Sequence, residues 1–211
     1  MFRTAASIVK VMGGISDRPL LTRAEMIPDE SACGGLILCG SHTGKTTAQL
    51  EALKERKDIT FIELDASLVK NEAAFAAEVD RCLRLEEQEI KAGRTVCCYT
   101  SRTLVTADTG NKEDELKLAL RISDAVTSLA ERLTVKPAFI IAKGGITSSE
   151  VGTKALKVRR ANVLGQILPG IPVWQTGAES RFPGICYVIF PGNVGEEDSL
   201  EKAVAILSRK A

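Results

Sequence analysis

The sequence predicts an α/β fold, a Rossmann-like and mostly parallel sheet with helices on both faces. Two observations carry that expectation. Short apolar runs rich in β-branched residues recur along the chain, as in "GLILC", "ITFIEL", "TVCCYT" and "AFIIA". Between them lie amphipathic segments of helical period, and strands that alternate with helices pair in parallel and are covered on both sides.

Element by element, Arg3 to Met12 carries Ile8, Val9 and Met12 at helical spacing and ends at Gly13-Gly14, which predicts a helix with a glycine exit. A loop rich in turn residues follows to about Ala32. Then come the strand "GLILC", a helix from Thr46 to Lys57, the strand "ITFIEL", a long helix within Asn71 to Ala92, the strand "TVCCYT" and a second long helix within Lys112 to Leu133. The alternation continues with the strand Ala138 to Ala142 and a helix from about Ser148 to Leu156. The runs "RRANVLGQI", "IPVWQT" and "ICYVIF" follow as strands without helices between them, which predicts a mixed or antiparallel edge, and a helix from Glu196 to Ser208 closes the chain.

The chain has 211 residues, 45% hydrophobic and 26% charged, enough to bury a substantial core. Its 28 basic and 27 acidic residues leave a net charge of +1, so it carries no electrostatic footprint for nucleic acid or an anionic membrane. No run of about 18 apolar residues suggests a membrane span, and the start "MFRTAASIVKVMGG" is too broken for a signal peptide. The expected location is cytoplasmic. The six cysteines form no C-x-x-C pair and read as reduced core thiols. His42 is the only histidine, which excludes a histidine-rich metal site and allows a Ser-His-Asp or Cys-His arrangement only around itself.

In open parallel sheets ligands bind beyond the carboxyl ends of the strands, and three strand exits have the right chemistry. "GSHTGKTT" supplies glycine, small hydroxyls and a helix start; "AKGGITSSE" supplies Gly144-Gly145 and a capping-box pattern, Thr147 to Glu150; "FPGNVGEEDSL" places Gly192 and Gly195 around Asn193. Each is a strand, a glycine turn and a helix N-terminus, the arrangement whose unpaired amides favour phosphate. Any one such turn equally serves only to cap its helix; three at one sheet edge point to a nucleotide. Lys45 and Lys143 are candidate phosphate-facing cations. His42 reads equally as a turn residue or a ligand contact, and Arg102 as an anion contact or a surface pair.

Gly44-Lys45-Thr46 ends like a Walker A loop, but the position that pattern requires to be glycine is Cys39, and Gly40 comes one residue late. A Walker-type NTPase would also need an aspartate ending a strand for Mg²⁺, a part only Asp65 offers.

"FRTAAS", "GSHTGKTTAQLEAL", "YTSR", "GGITSSEV", "GQILPGIPVWQTG" and "FPGNVGEEDSL", in this order from Phe2 to Leu200, resemble the four-carbon acid sugar kinase family. The resemblance implies an ATP-dependent enzyme that phosphorylates threonate, erythronate or 3-oxo-tetronate, with Mg²⁺ assisting as in phosphoryl transfer generally. Members have an N-terminal sugar-acid domain with an acidic "DD-x-TGA"-like motif and a C-terminal nucleotide domain. This sequence lacks the acidic motif and resembles the C-terminal half, with 1–32 as an N-terminal helix and connecting segment and 33–211 as the nucleotide-binding domain.

Carried over by motif, the resemblance implies ATP or ADP contacts at Ser41, His42 and Thr43, at Gly144, Gly145, Ile146 and Thr147, and at Gly192, Asn193 and Gly195. It departs where many members have a lysine before the last glycine turn and a phenylalanine within it; here stand Phe190-Pro191 and Val194. No catalytic base is assigned, and the isolated chain is expected to bind nucleotide with little turnover, since the four-carbon sugar acid needs the other domain. A homo-oligomer is compatible with the sequence. The alternative to a kinase is a non-catalytic nucleotide-binding or regulatory module.

Overall fold

A computed structural model describes residues 6–27, 32–107 and 110–208 of the chain. Helix α1 (Ala6–Met12) and a short α2 (Arg23–Met26) precede β1 (Leu36–Cys39), α3 (Gly44–Lys54) and β2 (Ile59–Leu64). A 3₁₀ turn (Ala66–Lys70) leads to α4 (Glu72–Lys91), β3 (Thr95–Thr100), α5 (Lys112–Arg132), β4 (Phe139–Lys143) and α6 (Gly145–Glu150). A π-helical turn (Val151–Ala155), β5 (Ala161–Leu168), β6 (Ile171–Thr176), β7 (Cys186–Phe190) and α7 (Ser199–Leu207) complete the order.

The strands form one sheet in the order β2-β3-β1-β4-β7-β6-β5. Five pair in parallel, and β7-β6-β5 is the antiparallel edge expected from the late strands without helices. Side chains alternate faces along a strand, so Leu36 and Leu38 join the core under α4 and α5, whereas Ile37 and Cys39 join the core under α3 and α7. Both layers are closed by helix stripes: Phe75, Val79, Cys82 and Ile90 of α4 on one side, Leu50 and Leu53 of α3 with Leu200 and Val204 of α7 on the other. All cysteines except the half-buried Cys33 are buried, and none of the six is in a disulfide.

This two-layer covering creates a topological switch. The chain leaves β1 into α3 on one face, and leaves the neighbouring β4 into α6 on the opposite face. A crevice opens where adjacent strands send their connections to opposite sides.

The structure corrects three helix starts, the first of them after β1, where the helix begins at Gly44 rather than Thr46 because Thr43 caps it. The helix after β4 begins at Gly145 with Gly144 as its N-cap, so Thr147 lies inside the helix and Glu150 caps nothing. Glu150 instead accepts from Ser123 Oγ at 2.7 Å and pairs with Lys154 at 2.7 Å. Gly144 has φ of +124°, a backbone state open to glycine that starts the helix three residues ahead of the apparent capping box. The last helix begins at Ser199 rather than Glu196, because Ser199 Oγ accepts from Glu196 N at 2.7 Å and folds 196–198 into a turn. The N-terminal helix holds over Ala6–Met12, its expected start at Arg3 lying outside the described residues, and the loop after it contains α2, where Thr22 and Glu25 form a capping box.

Candidate functional site

The registers of β1, β4 and β7 bring their carboxyl ends into one row, with Cys39 beside Lys143 and Lys143 beside Phe190. The three glycine turns that follow these strands are therefore neighbours in space, and they meet glycine to side chain. A Cβ on Gly40 would stand 2.5 Å from Thr147 Oγ1, and one on Gly144 would stand 3.1 Å from Ser41 Cβ. A Cβ on Gly192 would lie 3.5 Å from Ser41 Oγ and 3.8 Å from Gly144 Cα.

The first turn is fixed from three directions. Thr43 caps α3, its Oγ1 accepting from Thr46 N at 3.3 Å, and the Thr43 and Thr46 hydroxyls donate to Gly192 O at 3.3 and 3.5 Å. Arg102 donates from Nη1 to Ser41 O and from Nη2 to Thr100 O, each at 2.7 Å. It clamps two backbone carbonyls, and among the described residues it has no ion pair. His42 Nε2 donates to Ser101 O at 3.1 Å, so the proton sits on Nε2. Burial, and then the neighbouring Arg102, hold its pKa below the usual histidine value, which leaves the ring neutral at pH 7.

The third turn packs behind the first. Lys45 Nζ donates to Gly195 O at 2.9 Å, and the buried Gln49 donates from Nε2 to Val194 O at 3.1 Å and to Glu196 O at 2.7 Å. Gly195 takes φ of +85° to make this turn, and a Cβ there would lie 2.7 Å from Ser199 Oγ.

A cavity of about 350 Å³ opens at the switch point. Its floor is Gly40, Ser41 and His42 from the first turn and Gly144, Gly145, Ile146 and Thr147 from the second. Thr43, Gly192, Asn193 and Gly195 lie outside the lining; Thr43 and Gly192 touch the floor from behind, and Asn193 is exposed. The opposite wall is mostly apolar: Leu104 and Val105 from the segment after β3, and Ala119, Ile122 and Val126 from α5, with Ser123 its one polar member. Sequence reasoning missed this wall, whose only signal is an apolar stripe on α5 that reads as ordinary core.

Helix α6 presents its N-terminus to this cavity with no side chain capping it. The first amides of a helix have no partner within it, and here they lie beside an unobstructed surface: a Cβ on Gly145 would meet nothing within 4 Å. The arrangement suits an anion attached to a flat apolar group. Among the described residues no group of three or more His, Cys, Asp or Glu side chains is placed to hold a metal ion.

The family model described as a nucleotide-binding C-terminal domain matches residues 36–200. The chain belongs to this family, the C-terminal domain of the four-carbon acid sugar kinases. Two solved structures share the fold of this nucleotide-binding domain. One is a Haemophilus influenzae protein, 19% identical with a TM-score of 0.64, aligned over 96% of this chain and 45% of its own. The other is a Bordetella bronchiseptica domain of unknown function with bound citrate, a domain-swapped dimer, 19% identical with a TM-score of 0.64, aligned over 85% of this chain and 42% of its own. The nucleotide-binding domain thus spans less than half the length of either structure. No curated protein matches it. Among the described residues no helix is long and apolar enough to cross a membrane.

Proposed function

We propose that the switch-point cavity binds ATP or ADP, and that with a sugar-acid domain the protein transfers the γ-phosphoryl of ATP to a hydroxyl of a four-carbon sugar acid such as threonate, erythronate or 3-oxo-tetronate. The observation that carries this reading is the uncapped N-terminus of α6 opening into a cavity with an apolar wall. The phosphates lie over Gly144, Gly145, Ile146 and Thr147 and against Ser41 and His42, and the base lies toward Ile122 and Val126. Thr43 and Gly192 complete the site from behind by fixing the first turn, Gly195 belongs to the turn packed behind it, and the exposed Asn193 is free to meet the ribose or base.

When bound, ATP supplies the phosphoryl group and ADP leaves. The chain's residues bind and orient the nucleotide, and the groups that orient the acceptor belong to the sugar-acid domain. In this reading 33–211 is the nucleotide-binding domain and 1–32 the helix and segment that connect it. Any Mg²⁺ would arrive with the nucleotide phosphates, which supply part of its oxygen shell. A homo-oligomer is part of the proposal, in line with the domain-swapped Bordetella protein.

The Walker-type reading is less well supported. Asp65 lies at the end of β2, separated from β1 by β3, and its carboxylate caps its own 3₁₀ turn through Ser67 N at 2.9 Å.

Gly145→Val tests the assignment, because a side chain there enters open space and leaves the packing intact. The variant should melt with the parent and lose ADP binding in calorimetry. Undiminished ADP affinity in a folded Gly145→Val protein would refute the placement.

A further inference from the structure

Three cations surround the ends of β1, β4 and β7, and each donates to backbone carbonyls rather than to a carboxylate. Arg102 holds Ser41 O and Thr100 O, Lys45 holds Gly195 O, and Lys143 holds Pro191 O. Lys143 is the one whose placement ordinary packing does not explain. It is fully buried, on the α3 and α7 side of the sheet between Cys39 and Phe190. Its Nζ donates to Pro191 O at 2.7 Å and stands 4.3 Å from the Phe190 ring centre, and it has no ion pair among the described residues. An ammonium has three N–H donors, and burying one without a carboxylate is strongly unfavourable. A methionine would fill the same space without that charge.

We infer that Lys143 is the internal counter-charge of the site: a positioning residue that ties the turn after β7 through Pro191 O and attracts the ligand's phosphates from behind Gly144, without touching them. The inference rests on the nucleotide reading above. The glycine that follows Lys143 is the N-cap of α6, so the ammonium reinforces the positive end of that helix from inside the protein.

The charged and titratable neighbours fix the expected behaviour. Burial holds the Lys143 pKa down to about 8; Cys39 of β1 opposes that shift and Lys45 of α3 adds to it, while Phe190 of β7 contributes only its ring. In the free protein the group therefore loses its proton as pH rises through about 8. An arriving polyanion favours the charged form, so binding takes up a proton above that pH, and affinity falls as pH rises further.

The test is calorimetry of ADP with the full chain in two buffers of different ionisation enthalpy. Relative to Lys143→Met in the same buffers, which cancels the ionisation of the ADP phosphate itself at about pH 6, the parent should take up roughly half a proton per ADP at about pH 8.5 and almost none at about pH 6.5. Lys143→Met should abolish the uptake and weaken ADP binding on the order of ten-fold, and Cys39→Ala should retain the uptake. ADP binding by the parent without proton uptake, or equal uptake and affinity in a folded Lys143→Met, overturns this inference and leaves the nucleotide site standing. If Lys143→Met does not fold, the parent's own uptake and its loss of affinity above about pH 8 decide the matter. A folded parent that binds neither ATP nor ADP overturns the nucleotide reading, and this inference falls with it.

Discussion

Gly40→Ala is the sharpest perturbation of the floor. Gly40 has an ordinary backbone conformation, so an alanine there is unstrained in itself, but its Cβ would stand 2.5 Å from Thr147 Oγ1. That oxygen belongs to a buried, β-branched residue inside α6, whose χ1 is stiff. The turn after β1 and α6 must therefore move apart. Overpacking of this kind costs about 1–3 kcal/mol, which in a domain of this size lowers Tm by roughly 2–12 °C.

Thr147→Ala removes the clashing oxygen and leaves Cβ at 3.6 Å, an ordinary contact. The Gly40→Ala/Thr147→Ala protein should therefore melt close to Thr147→Ala alone, with a favourable coupling of about 1 kcal/mol or more across the double-mutant cycle. Thermal melts of the four proteins by circular dichroism measure it. A Gly40→Ala protein that melts with the parent, or strictly additive losses in the double variant, would refute the claim that these two turns are in contact.

Two further predictions concern buried charge. Arg102→Met should destabilise the protein by about 2–3 kcal/mol through loss of charged hydrogen bonds to Ser41 O and Thr100 O. It should also raise the His42 pKa, which proton NMR reads without ambiguity because His42 is the only histidine. Since that pKa is depressed, the stability tied to neutral His42 is lost as pH falls through it, and an unchanged titration in the variant would contradict the Arg102 contact. Glu86 is fully buried on α4 with neither carboxyl oxygen partnered, and burial pushes its pKa well above the ordinary carboxylate range. A raised carboxyl pKa gives stability that is present below about pH 4.5 and lost as pH rises through the folded value. Glu86→Met should therefore raise the melting temperature at neutral pH and flatten its decline with pH, as a series of melts across pH will show.

The strands were legible where local chemistry bounds them. "TVCCYT" runs between the turn glycine Gly93 and the buried Ser101, and it forms β3 over the same residues, Thr95–Thr100. The glycine turns were legible for the same reason, since strand, glycine and helix start follow one another in the chain. What local sequence could not give was partnership across space. The start of α6 depends on Gly144 fitting its φ of +124° against Ser41, a contact between residues a hundred positions apart, so a local threonine-to-glutamate pattern outweighed it. The α5 wall was hidden because a stripe facing a cavity and a stripe facing a core have the same period. Arg102 was ambiguous because a carbonyl clamp leaves no mark in sequence; its acceptors are main-chain oxygens.

The switch-point cavity joins two materials of different stiffness. Its glycine floor is welded to three central, in-register strands, and a floor of that kind moves only if the sheet moves. Its far wall is a helix flank and a strand-free segment, where Leu104 is 75% exposed and adjusts at little expense. A ligand is therefore measured by two gauges at once, its charged end by a rigid template and its apolar end by an adaptable one. In the nucleotide site proposed above, discrimination among phosphate chains should be strict, and discrimination among the groups attached to them lenient.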